Sequence, residues 1–123
     1  MSTEIEIVVK TKYLEGQSDP AQKQFVFAYT IEITNRSQQA MQLLTREWVI
    51  RDADGKTTQV SGDGVVGKQP WIKPGDSFTY TSGTVLNTPL GSMQGAYGLV
   101  TADGDNLQAE IPAFSLALPN ILH

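Results

Sequence analysis

A glycine-rich segment is the stretch of the sequence whose residue types and spacing come closest to a known chemical task. Residues 62–67 read Gly-Asp-Gly-Val-Val-Gly, which fits the G-x-G-x-x-G pattern of dinucleotide-binding folds. In those folds the glycines lead a strand into a helix whose first N–H groups hold a pyrophosphate. Pro70 and Pro74 exclude such a helix, because proline lacks the N–H donor and its ring clashes with the preceding turn. The segment therefore does not predict a dinucleotide-binding fold.

Two other interpretations of this segment stay open. Successive glycine N–H groups in a non-helical loop can form a concave anion site, with Arg46 or Arg51 adding to the charge of nearby lysines. The predicted site for phosphate, pyrophosphate or a nucleotide comprises Gly62, Asp63, Gly64, Gly67, Lys68 and Lys73. Alternatively, the glycines only permit positive φ in a tight connection between strands, while Val65 and Val66 close the edge of the core.

Other residues that could do chemistry are few. The one histidine is His123, at the chain end where fraying is usual, and the chain has no cysteine. The carboxylates are dispersed, and the Asp-rich segments 52–55 and 103–105 lack the full ligand spacing of a calcium loop, so both predict hairpin turns. Asp54–Gly55 suits a type I′ turn. The sequence therefore predicts no catalytic residue, no metal site and no cofactor, and hence a protein that is not an enzyme.

Length and charge restrict the remaining classes of function. A chain of 123 residues suits a single domain, 1–123, with its core at about 4–118. With 13 acidic and 9 basic residues, the net charge of −4 argues against broad nucleic-acid binding. There is no apolar run of membrane-spanning length and no secretory signal, and the lack of cysteine fits a reducing compartment. We expect a cytoplasmic protein that does not insert into a membrane.

Apolar and polar residues alternate along most of the chain, the period expected of half-buried strands. Turn residues separate these runs about every ten residues, and no amphipathic helix of useful length is present. The predicted strands are 4–14, 23–35, 41–52, 57–60, 77–86, 95–102 and 107–118. About seven strands predict an all-β, immunoglobulin/fibronectin-III-like β-sandwich with no significant helix, and a closed barrel is the alternative.

Three aromatic residues have predicted places in this sandwich. Trp48 is expected in the core, and Tyr97 is expected to anchor its hydroxyl to the preceding loop, as tyrosines near the start of the penultimate strand often do. Trp71 fits equally well in the core or on the surface, where an exposed indole could anchor a protein partner. A homodimer through exposed sheet edges is compatible with this architecture.

Residues spread over most of the chain resemble the ApaG family, also called CorD in bacteria. The most specific part is the glycine-rich segment followed by Gln69 and Pro70. The similarity covers about residue 23 to the end of the chain, through Phe27, Ala28, Tyr29, Ile31, Ile33, Asn35, Gln42, Leu43, Leu44, Arg46, Trp48, Asp52, Gly55, 60–67, Pro74, Gly75, Phe78, Tyr80, Ser82, Gly83, Thr88, Pro89, Gly91, Met93, Gly95, Tyr97, Pro112, Phe114, Leu122 and His123.

The resemblance implies the same sandwich and a role as a binding module for an unidentified protein partner. Members of the family are often encoded beside a diadenosine tetraphosphate hydrolase and are associated with cobalt and magnesium tolerance or efflux. Related domains occur in eukaryotic F-box proteins and in a protein that interacts with a DNA polymerase. Family members usually carry Glu where Lys68 stands, so this chain has a positive charge there instead of a carboxylate.

Overall fold

The computed structural model describes residues 4–119, so the prediction made for His123 lies outside the described residues. The strands are β1 (Ile5–Tyr13), β2 (Phe25–Asn35), β3 (Met41–Asp52), β4 (Thr57–Asp63), β5 (Trp71–Ile72), β6 (Ser77–Leu86), β7 (Leu90–Thr101) and β8 (Asn106–Ala117). The only helical pieces within 4–119 are two single 3₁₀ turns, Glu15–Gln17 and Pro20–Gln22. The prediction of an all-β chain without significant helix is confirmed.

The strands form two antiparallel sheets that pack face to face. Sheet 1 has the order β1-β2-β6, and sheet 2 has the order β4-β3-β7-β8 with the short β5 also paired to β3. The predicted immunoglobulin/fibronectin-III-like sandwich is thus confirmed. Within residues 4–119 there are eight strands instead of about seven, because the dipeptide at 71–72 pairs with β3 as a strand of its own.

Two strand boundaries differ by more than two residues from those expected. β4 extends to Asp63 and β7 begins at Leu90, whereas the sequence predicted an end at residue 60 and a start at residue 95. The prediction was wrong in both places because glycine is typical of loops, whereas Gly62 and Gly91 pair with β3 within sheet 2. The turn at 87–89 is therefore all that connects β6 of sheet 1 to β7 of sheet 2.

Aromatic residues fill the middle of the space between the sheets. Trp48 is 3% exposed and meets Tyr29, Tyr97 and Phe114 edge-on, with ring centroids 5.4, 6.4 and 5.9 Å away. Edge-to-face contact of this kind is a favoured arrangement of aromatic rings, because the positive ring edge meets a negative face. The expected core position of Trp48 is confirmed.

The hairpin at residues 52–56 is present, but its geometry differs from the predicted type I′ turn. The Gly55 N–H donates to the Asp52 carbonyl, and the Asp52 N–H donates to the Lys56 carbonyl. Gly55 has φ +86°, whereas Asp54 is not left-handed. This is a three-residue loop, a type I turn closed by a left-handed glycine, and the 101–105 turn repeats it with Gly104.

One long side of the sandwich is closed and the other is open. β1 lies against β8, which joins the two sheets along that side. On the opposite side the edge strands are β6 and β4, and a cleft of about 240 Å³ separates them. Within residues 4–119, no helix is long and apolar enough to cross a membrane.

Candidate functional site

The glycine-rich segment interrupts an edge strand of sheet 2. β4 and β5 both pair with the same edge of β3, β4 along residues 45–51 and β5 along residues 41–42. Between the two lies the segment 64–70, which we call the edge loop. Opposite it, the pairing of β3 with β7 shifts by one residue, so that Leu44 forms a β-bulge. The edge loop is therefore an excursion of the chain at a break in the sheet.

Backbone and side-chain hydrogen bonds tie the edge loop to β3. The carbonyl of the bulged Leu44 accepts the Gly64 N–H at 2.7 Å and the Gln69 side-chain amide at 3.0 Å. The Leu43 N–H donates to the Pro70 carbonyl at 3.0 Å. A bulge leaves a carbonyl that the ladder does not use, and here the edge loop uses it. Both ends of the loop are thus fixed to the sheet.

The tip of the edge loop is a tight turn. Val65 and Lys68 exchange two N–H···O=C bonds of 2.8 and 2.9 Å, and Val66 and Gly67 have φ +44° and +78° between them. Positive φ at both central residues matches a type I′ turn, although a β-branched valine is unusual in this conformation. Val65 is fully buried and Val66 is 53% exposed. Of the two valines expected to close the core edge, only Val65 does so.

Arg46 braces the start of the edge loop from β3. Its Nη1 donates to the carbonyls of Asp63 and Gly64, both at 3.0 Å. The guanidinium lies across Gly62, where a Cβ atom would come within 2.8 Å of Nη1. Glycine at 62 therefore leaves the space that the guanidinium occupies. The sequence suggested Arg46 only as a source of charge, and its contact with the loop backbone depends on the pairing of β3 with β4.

The residues predicted as an anion site divide into three groups. Gly62 and Asp63 belong to β4, whereas Gly64, Gly67 and Lys68 belong to the edge loop, and Lys73 follows β5. The N–H groups of Gly64, Val65 and Lys68 already donate to backbone carbonyls. β5 stands between the edge loop and Lys73 along the edge of β3. The arrangement resembles a braced strand connection, and the anion site stays a prediction.

Trp71 lies on the outer face of sheet 2. Its neighbour Ile72 is 2% exposed and faces the core, so the alternation of β5 turns Trp71 outward, where it is 53% exposed. The sequence had left Trp71 open between core and surface, and the structure places it on the surface. Val66 and Trp71 thus project from one connected stretch of chain, the edge loop and β5.

Comparison with known proteins identifies the fold and the family. The model of the ApaG domain matches residues 15–101, a span that includes the whole edge loop. The chain belongs to the ApaG family. It is similar to the ApaG protein of Nitrosomonas eutropha, with 52% identity over 98% of this chain and 94% of that protein. The resemblance found in the sequence is therefore confirmed.

Two solved structures share the ApaG-family architecture over nearly the full chain. An X-ray structure of a structural-genomics target has a TM-score of 0.93 at 50% identity and covers 98% of this chain and 91% of its own. A crystal structure from Bordetella pertussis has a TM-score of 0.92 at 43% identity and covers 94% of each chain. The sandwich described above is thus the fold of these ApaG-like chains as well.

Proposed function

We propose that this ApaG-family chain is a protein-interaction module that acts without a catalytic centre, and that Val66 and Trp71 contact its protein partner. The observation that carries the proposal is the exposure of both side chains, 53% each, on a stretch of chain that is otherwise fixed to the sheet. Trp is among the residues that contribute most to binding energy at protein interfaces.

The rigidity of the edge loop supports this role. Leu44 and Arg46 together hold four groups of the loop and its borders through hydrogen bonds of 2.7 to 3.0 Å. A contact surface that is ordered before binding loses less conformational entropy when the partner arrives. The buried Val65 contributes further, since full burial of a valine stabilises by about 1.5 kcal/mol or more.

The association of the family with cobalt and magnesium tolerance fits an indirect role. Within residues 4–119, no three His, Cys, Asp or Glu side chains come together in a way that could hold a metal ion. We therefore infer that the effect on metal tolerance arises through the protein partner and not through metal binding by this chain. Titration calorimetry with cobalt and magnesium chloride should show no saturable binding to the purified chain, and micromolar binding would contradict this assignment.

Phosphate, pyrophosphate or nucleotide binding by residues 62–68 is the alternative. The exposed Lys68 beside the turn supplies a positive charge for it. The backbone amides of Gly64, Val65 and Lys68 argue against anion binding, because they already donate to carbonyls within the fold. The protein-interaction proposal therefore fits the geometry of the edge loop better.

Site-specific photo-crosslinking tests the protein-interaction proposal directly. A photoreactive phenylalanine analogue replaces Trp71 in one strain and Val8 in a control strain, because Val8 is also exposed but lies on β1, in the other sheet. We expect a discrete protein adduct from position 71 and none from position 8. Equal labelling from both positions, or no adduct from either, would contradict the proposal.

A further inference from the structure

The two sheets of the sandwich are unequal in width. Sheet 1 has three strands, whereas sheet 2 has four long strands and the short β5. β1 and β8 meet on the closed side, and the hydroxyl of Tyr80 on β6 reaches Tyr97 on β7. β6 is thus the last strand of sheet 1, and β4 extends beyond it. The core-side face of β4 has no strand of sheet 1 above it.

Seven of the nine residues that line the cleft on this open side are uncharged, and the two charged ones, Asp52 and Lys56, lie at the 52–56 hairpin. Ile50 of β3 and Val60 of β4 lie on one wall, and Thr84 and Leu86 of β6 lie on the other. Val60 pairs with the buried Trp48, which places it on the core side of sheet 2, yet it is 40% exposed. An apolar side chain on the core side of a sheet is normally covered, so this face lacks a partner.

The four sheet edges differ in how they are protected against pairing. β1 carries Lys10 and Lys12, β8 carries Pro112 and a register shift in its pairing with β7, and β4 is interrupted by the edge loop. Charges, prolines and bulges are the devices that keep edge strands from adding another strand. β6 has none of them, since its ten residues include no charge and no proline and pair with β2 in unbroken register.

Arg46 adds a charge next to the cleft. It lies on the same core-side row of β3 as Trp48 and Ile50, and Gly62 of β4 stands opposite it. Within residues 4–119 the only ion pair joins Arg36 and Glu6, so no described carboxylate lies within 4 Å of the Arg46 guanidinium. A half-buried arginine of this kind favours a carboxylate, which it can bind through two parallel N–H···O bonds.

We propose that the open side of the sandwich accepts one extended segment of a partner protein, which pairs with β6 as a fourth strand of sheet 1. Its apolar side chains, at alternate positions, cover Val60 and Thr84, and an acidic side chain reaches Arg46. This surface lies apart from Val66 and Trp71, so the inference goes beyond the function proposed above and does not require it. Strand addition of this kind draws affinity from backbone hydrogen bonds and specificity from alternate side chains.

The width of the overhang favours a single strand over a second copy of the chain. Neighbouring strands lie about 4.8 Å apart, so one extra strand on β6 covers the overhanging β4. Two copies that paired through their β6 edges would bring both overhanging β4 strands into the same space. The occupant we infer is therefore an extended acidic and apolar segment with no sheet behind it.

A library of random dodecapeptides, displayed and selected on the immobilised full chain, serves as the probe. We expect enriched peptides with apolar residues at alternate positions and at least one Asp or Glu. Peptide binding should slow hydrogen exchange of the β6 amides that point to the open edge by about tenfold or more, without a change in β1 or β8. No enrichment, or protection of another strand, would overturn the proposal. A self-associating chain whose β6 amides are already protected would identify a second copy as the occupant and would also overturn it.

Charge substitutions on the two faces of β6 provide matched variants. Thr84→Lys puts a charge into the cleft and should weaken the selected peptide by about tenfold or more. Thr79→Lys adds the same charge to the exposed outer face of the same strand and should leave the affinity unchanged. Val60→Lys is the second cleft variant, in case Thr84→Lys does not fold. Equal binding by the folded cleft variants and the control would refute strand addition.

Two further measurements separate this inference from the proposed function and test the role of the charge. Trp71→Ala should leave peptide affinity unchanged, and Thr84→Lys should leave the protein adduct from a photoreactive residue at position 71 unchanged, so either idea can fail without the other. A Glu→Gln or Asp→Asn change in the peptide should weaken binding several-fold to the wild-type chain and have no effect on Arg46→Gln. The same loss on both proteins would show that Arg46 does not receive the carboxylate.

Discussion

The hydroxyl groups of Tyr80 and Tyr97 form a hydrogen bond of 2.5 Å across the space between the two sheets. Tyr80 belongs to β6 of sheet 1 and Tyr97 to β7 of sheet 2, and the side chains are 6% and 0% exposed. Tyr97 was expected to bind the preceding loop, and that expectation was wrong, because its hydroxyl points across the core to the opposite sheet. One hydroxyl donates and the other accepts, so each of these buried groups has a hydrogen-bond partner.

Single and double phenylalanine variants measure what this bond contributes. Tyr97→Phe leaves the Tyr80 hydroxyl buried without its partner and should lower the free energy of unfolding by about 1–3 kcal/mol. The double variant Tyr80→Phe/Tyr97→Phe removes both polar groups, so its loss of unfolding free energy should be smaller than the sum of the losses of the two single variants. Urea unfolding of all four proteins gives the comparison, and additive losses would contradict the pairing.

Alkaline pH should destabilise the fold through the same two residues. Burial raises the pKa of Tyr80 from 10.0 to about 12, and burial also raises the pKa of Tyr97. An unfolded tyrosine loses its proton near pH 10 while these two keep theirs, so ionisation favours the unfolded chain. Stability from these groups is fully present below pH 10 and is lost as the pH rises towards 12. Urea midpoints at pH 8 to 11.5 test this, and the double phenylalanine variant should show a smaller loss.

Alanine at two neighbouring glycines should have different effects on the edge loop. A Cβ atom at Gly64, where φ is +64°, would lie 2.3 Å from the Lys68 carbonyl oxygen, so Gly64→Ala should cost about 1–3 kcal/mol. Gly62→Ala meets only the guanidinium of Arg46, which can move aside at the expense of its bonds to the Asp63 and Gly64 carbonyls, and should cost about 1 kcal/mol. Thermal and urea unfolding compare the two, and equal losses would mean that the loop backbone adapts at both positions.

Val66 combines an unfavourable backbone conformation with a proposed contact. Asparagine tolerates φ +44° better than a β-branched residue, so Val66→Asn should stabilise the chain by about 1 kcal/mol. The same change removes an exposed apolar side chain and should weaken partner binding. Val8→Asn is the control, since Val8 is exposed on a regular strand and should show no gain in stability. A Val66→Asn variant that gains no stability would show that the backbone of Val66 is not strained.

Pyrophosphate titration decides the alternative role of the edge loop. Because the amides of Gly64, Val65 and Lys68 donate to carbonyls within the fold, we expect no shift of the loop amide resonances at millimolar pyrophosphate. Saturable shifts of the amides from 64 to 68 that disappear in Lys68→Glu would instead favour the anion site. That variant reverses the charge beside the turn and leaves the backbone amides in place, so it serves as the control.

The sequence by itself determined the strands, most of the turns and the scarcity of reactive groups. Alternation with a period of two depends only on neighbouring residues, so β3 was predicted with its observed bounds and β2 with a start two residues too early. The single histidine and the absence of cysteine are likewise properties of the chain alone. The glycine-rich segment was recognised as a special connection, but its bond partners were not visible.

Tertiary structure decided everything that depends on residues far apart in the chain. The bulge at Leu44, the position of Arg46 over Gly62 and the bond from Tyr80 to Tyr97 all arise because strands from different parts of the chain pair or stack. The open cleft between β4 and β6 exists because sheet 1 has three strands, whereas sheet 2 has four long strands and the short β5. Local alternation shows that a strand has two faces, and only the packing of the two sheets shows which strand edge is left uncovered.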